Sequence, residues 1–88
     1  MAETDEVIKF PFTFSIKAIG KDEADYRAFV IETVQVHFPE LNQDEVTTRP
    51  SHGGKYLAVT VPLVAQSREQ LDAIYLMISQ DSRTVFML

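Results

Sequence analysis

An α+β domain built on a four-stranded antiparallel sheet is the fold this sequence predicts. Apolar and polar residues alternate in two well-separated segments, apolar residues recur at helical spacing in two others, and the elements run strand, helix, strand, strand, helix, strand. The chain has 88 residues. That is enough for one domain with a modest core, since a chain of this size buries only about two-thirds of the surface it exposes when unfolded.

Residues 1–8 read as a polar tail and residues 9–88 as the domain. In "FTFSIKAIG", Phe12, Phe14, Ile16 and Ala18 fall on one side and Thr13, Ser15 and Lys17 on the other, the pattern of a half-buried strand that Gly20 is expected to end. In "KDEADYRAFVIETVQVHF", Tyr26, Phe29, Val30, Val34 and His37 share one helical stripe. Asp22, Glu23 and Asp25 crowd its start, where carboxylates suit the helix dipole, and Pro39 stops it. Ile31 and Phe38 widen the apolar face and are expected to pack on the second helix or on a partner.

The segment "EVTTRPS" reads as a weak strand, placed at a sheet edge because Pro50 has no amide to donate. "SHGGK" is the turn, and "YLAVTVPLV" alternates again, with Leu57, Val59, Val61 and Leu63 inward and regular pairing expected to end near Pro62. "SREQLDAIYLMISQ" opens on Ser67 and Gln70 at capping-box spacing and buries Leu71, Ile74, Tyr75 and Ile78. "TVFML" is the last strand. This order is the ferredoxin-like βαββαβ sandwich, with the first and third strands central and both helices on one face.

Composition removes several function classes. There is no cysteine, so disulfides and Cys-based zinc sites are excluded. No apolar run reaches the length of a membrane-spanning helix. The start "MAETDEV" is acidic where a secretory signal is basic and then apolar, which predicts a cytoplasmic protein without a membrane role. A net charge of −5 disfavours generic binding to phosphate backbones.

The glycine turn "RPSHGGKYLAVTV" precedes a strand, so no helix N-terminus follows Gly53 and Gly54 to hold a phosphate; a hairpin turn accounts for both glycines. RNA-binding sheets of this architecture stack bases on two aromatic residues of the third strand; here Tyr56 fills one place and Ala58 the other, so no nucleic-acid partner is expected. An acylphosphatase-type loop needs an arginine between the first strand and helix, whereas "IGKDEAD" offers Lys21 among three acids. Ser51 and His52 are turn neighbours rather than a catalytic pair, and His37 and His52 show no metal-ligand spacing. No catalytic residues, metal or cofactor are expected.

Two motifs carry a family resemblance. Pro11, Phe14, Lys17, Ile19 and Gly20 fit a Pro-x-x-(Phe/Tyr)-x-x-Lys-x-(Met/Ile)-Gly start, and Arg49, Pro50, Ser51, Gly54 and Tyr56 fit a (Lys/Arg)-Pro-Ser-x-x-Gly-x-Tyr hairpin. Together they resemble the YbeD-like family of small bacterial proteins of unknown function. The resemblance implies a single ACT-like regulatory domain linked to lipoate metabolism, without a catalytic set. It also implies a small-ligand site near the loop at Ile19 and Gly20, although the acids that follow disfavour a carboxylate-bearing effector there. The expected function is thus a non-catalytic regulatory or protein-interaction domain acting through Lys17, Gly20, Arg49, Ser51 and Tyr56. The alternative is a small-molecule effector domain working as a homodimer.

Overall fold

The computed structural model of the protein describes residues 9–23, 25–51 and 53–88. The expected tail at 1–8 and the turn residue His52 lie outside the described residues, as does the side chain of Phe12. Strand β1 spans Phe12–Lys21, helix α1 Tyr26–His37, strand β2 Thr47–Pro50, strand β3 Tyr56–Ala65, helix α2 Arg68–Ser79 and strand β4 Thr84–Met87. The sheet order is β2-β3-β1-β4 with every pair antiparallel, which is the ferredoxin-like arrangement. Ile16, Ala18, Val59, Val61 and Leu63 bury one sheet face against Tyr26, Val30, Val34, Ile74 and Ile78, so both helices lie on that face.

The hairpin forms as its glycines dictate. Gly53 and Gly54 have φ of 93° and 74°, in the left-handed region that side chains avoid. Gly54 N–H donates to the Ser51 carbonyl at 2.8 Å, Ser51 N–H to the Tyr56 carbonyl at 2.8 Å, and Tyr56 N–H to Ser51 Oγ at 2.9 Å. Ser51 and Tyr56 are therefore a hydrogen-bonded pair. Because such pairs alternate with non-bonded ones, Pro50 opposite Leu57 falls at a non-bonded position. Its missing N–H faces away from β3, at the edge of the sheet.

Pairing does not end at Pro62, as the sequence led us to expect. β3 stays paired with β1 out to Ala65, opposite Phe12. The same alternation turns the missing amide of Pro62 toward the β2 side, and β2 has already ended at Thr47, opposite Thr60. The ladder loses no bond there.

Gly20 does not end β1, which continues to Lys21. Gly20 is buried inside the strand beneath the ring of Tyr26; a Cβ built on it would stand 2.6 Å from Tyr26 Cε2 and 2.8 Å from the Arg83 carbonyl oxygen. The register between β1 and β4 shifts at this point. Ile19 pairs with Phe86 but Gly20 with Thr84, leaving Val85 as the extra residue of a bulge. Without that residue Thr84 would oppose Lys21 and face away from the helices. With it, Thr84 Oγ1 lies 2.8 Å from the Tyr26 hydroxyl. Burial pushes the Tyr26 phenol pKa up. The Arg83 guanidinium lies 5.8 Å from the Tyr26 ring centre and 4.9 Å from that of Phe29, and donates to both oxygens of Asp81 at 2.8 and 3.0 Å. That bidentate bond holds the Asp81 carboxyl below its usual range.

The start of α1 also departs from expectation. Asp22 and Glu23 precede the helix, Asp25 stands at its cap with φ 58° and no side-chain capping bond, and no acid lies in the first turn. The amides here are engaged elsewhere: Asp22 N–H bonds the Lys55 carbonyl, just past the last β1–β3 pair, while Glu23 N–H bonds the Lys21 carbonyl and Tyr26 N–H that of Glu23 within the turn. A short 3₁₀ turn at Gln43–Glu45, capped by Asn42 Oδ1 on Asp44 N–H at 3.0 Å, went unread in the sequence. Ile31 is buried in the core and Phe38 packs against it.

At α2, Ser67 Oγ accepts from Gln70 N–H at 3.1 Å, as the capping spacing predicts. The Gln70 side chain reaches back to Gln66 N–H and also donates to the His37 carbonyl at 2.7 Å, joining the start of α2 to the end of α1. His37 Nε2 is buried without a hydrogen-bond partner among the described residues. Tyr75 is half-buried and donates to the Leu88 carbonyl at 2.8 Å.

Gly20→Ala forces a methyl into the Tyr26 ring, so it should destabilise the domain by about 1–3 kcal/mol, read as a lower denaturation midpoint. Gly54→Val needs no new space but must hold a β-branched residue at positive φ, which should cost about 1–2 kcal/mol in the same measurement.

Candidate functional site

The helix-free face of the sheet is read directly from the register. On β1 it presents Thr13, Ser15, Lys17, Ile19 and Lys21; on β3, Tyr56, Ala58, Thr60, Pro62 and Val64; on β2, Thr47 and Arg49. Phe86 opposes Ile19, and Leu88 exchanges backbone hydrogen bonds with Lys17, which puts both on the same face.

Two shallow concavities lie here. One, of about 300 Å³, is lined by Ile19, Arg49, Pro50, Ser51, Tyr56 and Ala58. The other, of about 330 Å³, is lined by Lys17, Thr47, Thr48, Arg49, Ala58 and Thr60. They share Arg49 and Ala58. The structure thus brings together four of the five residues singled out in the sequence: Lys17, Arg49, Ser51 and Tyr56. The fifth, Gly20, is buried on the opposite side under Tyr26 and borders neither concavity. It lies in a strand rather than in a ligand loop.

The face has its own charge. The strands hold three charged residues, Lys17, Lys21 and Arg49, all cationic. The acids described all lie on helices, the 3₁₀ turn or loops. Neither Lys17 nor Arg49 has an ion-pair partner among the described residues, where the ion pairs are Arg68 with Asp72 and Arg83 with Asp81. At the far end, a third concavity of about 220 Å³ is bordered by Thr13, Pro62 and Val64 together with Glu40 and Glu45.

Exposed apolar groups stand among the cations. Tyr56 is 37% exposed, Phe86 50% and Leu88 60%. The sequence reading missed Lys21 and Phe86. The signal for Lys21 was present: it continues the two-residue period of Ser15, Lys17 and Ile19, once Gly20 is allowed to stay inside the strand. Phe86 depends on the register of β4 against β1, which four residues do not reveal.

Among the described residues no group of three or more His, Asp or Glu side chains is placed to hold a metal ion. No described helix is long and apolar enough to cross a membrane. What the arrangement can do chemically is present cations and apolar surface to an anionic, partly apolar ligand.

A family model described as "Protein of unknown function (DUF493)" matches residues 5–88. Among curated proteins, the chain is 40% identical over 74 residues to a "UPF0250 protein" of Chromobacterium violaceum, covering 84% of this chain and 83% of that one. It is 42% identical over 71 residues to "UPF0250 protein RSc0326" of Ralstonia nicotianae, covering 81% and 73%, and 36% identical over 85 residues to a "UPF0250 protein" of Janthinobacterium sp., covering 97% and 93%. The solution structure of protein HP0495 from H. pylori superposes with a TM-score of 0.72 at 16% identity, over 92% of this chain and 85% of that one, a likeness of fold.

The roles within the face separate by substitution. Ser51→Ala removes the acceptor of Tyr56 N–H and should lower stability by about 0.5–1.5 kcal/mol. Lys17→Glu and Arg49→Glu, on exposed side chains without ion pairs, should each change it by less than about 0.5 kcal/mol. Chemical denaturation of the three variants checks both statements.

Proposed function

The chain belongs to the DUF493 family of small bacterial proteins, the family its two motifs resemble under the YbeD-like name, and from that premise we propose that it is a non-catalytic regulatory or protein-interaction domain working through its helix-free sheet face. The observation that supports this reading is the confinement of all strand charges to Lys17, Lys21 and Arg49 in a chain of net charge −5. A surface meant only for solvation has no need to segregate charge by sign. A surface that receives an acidic partner does. The YbeD-like resemblance supplies the setting we propose for this interaction, the bacterial cytoplasm and regulation linked to lipoate metabolism.

A second reading is favoured by the concavity of about 300 Å³ beside Arg49, Ser51 and Tyr56. There an ACT-like domain would take a small effector, as a homodimer. Thermal-shift screening separates the two, because a ligand that binds only the folded state at 100 times its dissociation constant adds about 2.7 kcal/mol. Native mass measurement reports the dimer.

The interaction reading is tested by capture from the native cytoplasm, comparing the wild type with the triple variant Lys17→Glu, Arg49→Glu, Tyr56→Ala and with a helix-side control, Glu32→Lys. The expected result is a specific protein retained by the wild type and by the control and lost by the folded triple variant. A triple variant that stays folded and keeps every partner would sink the reading.

A further inference from the structure

We infer that the occupant of this face is an acidic amphipathic helix of a partner protein, lying across the strands. This deepens the interaction reading above and rests on it. The β2 side of the sheet is poorly suited to strand addition. A strand added on the β2 side would meet Pro50, whose missing N–H faces outward, and beyond it Pro62, whose missing N–H faces the bare edge of β3. That side does not welcome an extended peptide, whereas the face itself is open.

The face also has a direction. Ala58, Ile19 and Phe86 stand side by side on β3, β1 and β4, and Arg49 closes the row on β2. Four strands at about 4.8 Å spacing make this row about 14 Å long, the length of nine or ten helical residues. Lys17 and Lys21 flank the row on β1, one on each side. Four residues apart on one strand, they stand about 14 Å from each other, a gap that brackets a helix of about 10–12 Å diameter.

An apolar stripe on such a helix meets Ala58, Ile19 and Phe86, and acids on its two flanks meet Lys17 and Lys21. Arg49 favours the helix C-terminus, where the dipole is negative, at the β2 end. Single-stranded RNA fits less well. The two exposed rings, Tyr56 and Phe86, stand on β3 and β4 with β1 between them, and the central positions Ser15, Lys17, Ala58 and Thr60 offer no ring to continue a base stack.

The test uses the full chain, isotopically labelled, and a synthetic peptide of about 14 residues with leucines on one helical face and glutamates on both flanks. Three further probes are its scrambled version, its lysine-for-glutamate counterpart and an oligouridine of similar length. The acidic peptide should shift the amide resonances of Ile19, Ala58 and Phe86, and bind at least ten times more tightly than the scrambled and lysine peptides. In the double variant Lys17→Glu, Lys21→Glu the preference should reverse toward the lysine peptide; Lys17→Gln, Lys21→Gln should lose the preference without reversing it. Resonance dispersion shows that each variant is folded. Equal binding of the scrambled peptide, shifts confined to α1 and α2, tighter binding of the RNA, or no binding of the acidic peptide would each overturn the inference. If the acidic peptide fails while capture still depends on Lys17, Arg49 and Tyr56, the partner class is wrong and the site stands. If both fail, the site is wrong as well.

Discussion

The ring of Tyr26 rests against the bare α-carbon of Gly20, and much of the remaining structure follows from that contact. It fixes the separation of α1 from β1, because any side chain at position 20 would push the ring outward. It also needs a polar partner for a phenol hydroxyl deep in the fold, since leaving one buried and unpaired costs about 1–3 kcal/mol. Thr84 supplies that partner only because β4 carries one extra residue at Val85. Arg83 then covers the rings of Tyr26 and Phe29, and Asp81 holds the guanidinium in place. One packing contact thus fixes the phase of the last strand of the chain.

The two long strands were legible because their period is plain over ten residues each, and the central position of β1 and β3 followed from the order of elements. Pro50 marked its edge correctly because a missing amide has few places to go. Pro62 misled because sequence alone cannot show that β2 stops two residues short of it, leaving that side of β3 empty. Gly20 misled for a different reason. A glycine between a strand and a helix can end the strand or admit a ring, and only the tertiary contact with Tyr26 decides which. That single misreading also hid Lys21. The acids before α1 do not serve as dipole partners because Asp22 and Glu23 fall ahead of the helix and Asp25, at the cap with φ 58°, makes no side-chain bond to it.

The candidate site was legible to the extent that it depends on strand parity. Lys17, Arg49 and Tyr56 meet on one face because the hairpin register and the β1–β3 ladder put them there. Ser51 belongs with them, although its hydroxyl is already occupied by Tyr56 N–H at the start of β3. Phe86, which lay beyond reach, owes its place to the register of β4 on β1, a property of the pairing and not of the four side chains of β4.

The separation of cations from acids changes what net charge means for this molecule. At physiological salt an exposed charge is felt over about 8 Å. Even the smallest extent of the domain is 20 Å. A body approaching the middle of the sheet therefore experiences Lys17, Lys21 and Arg49 more strongly than Glu32, Glu69 and Asp72 on the helices behind it, and the whole-chain value of −5 overstates the opposing charge it meets there. At low ionic strength, about 0.01 M, the reach grows to about 30 Å and the acidic side begins to cancel the cationic one. Dilution of salt, which strengthens most exposed ion pairs, would here bring the opposing charge into range, so the attraction of this face for an acidic body should grow less steeply than three cations alone would suggest.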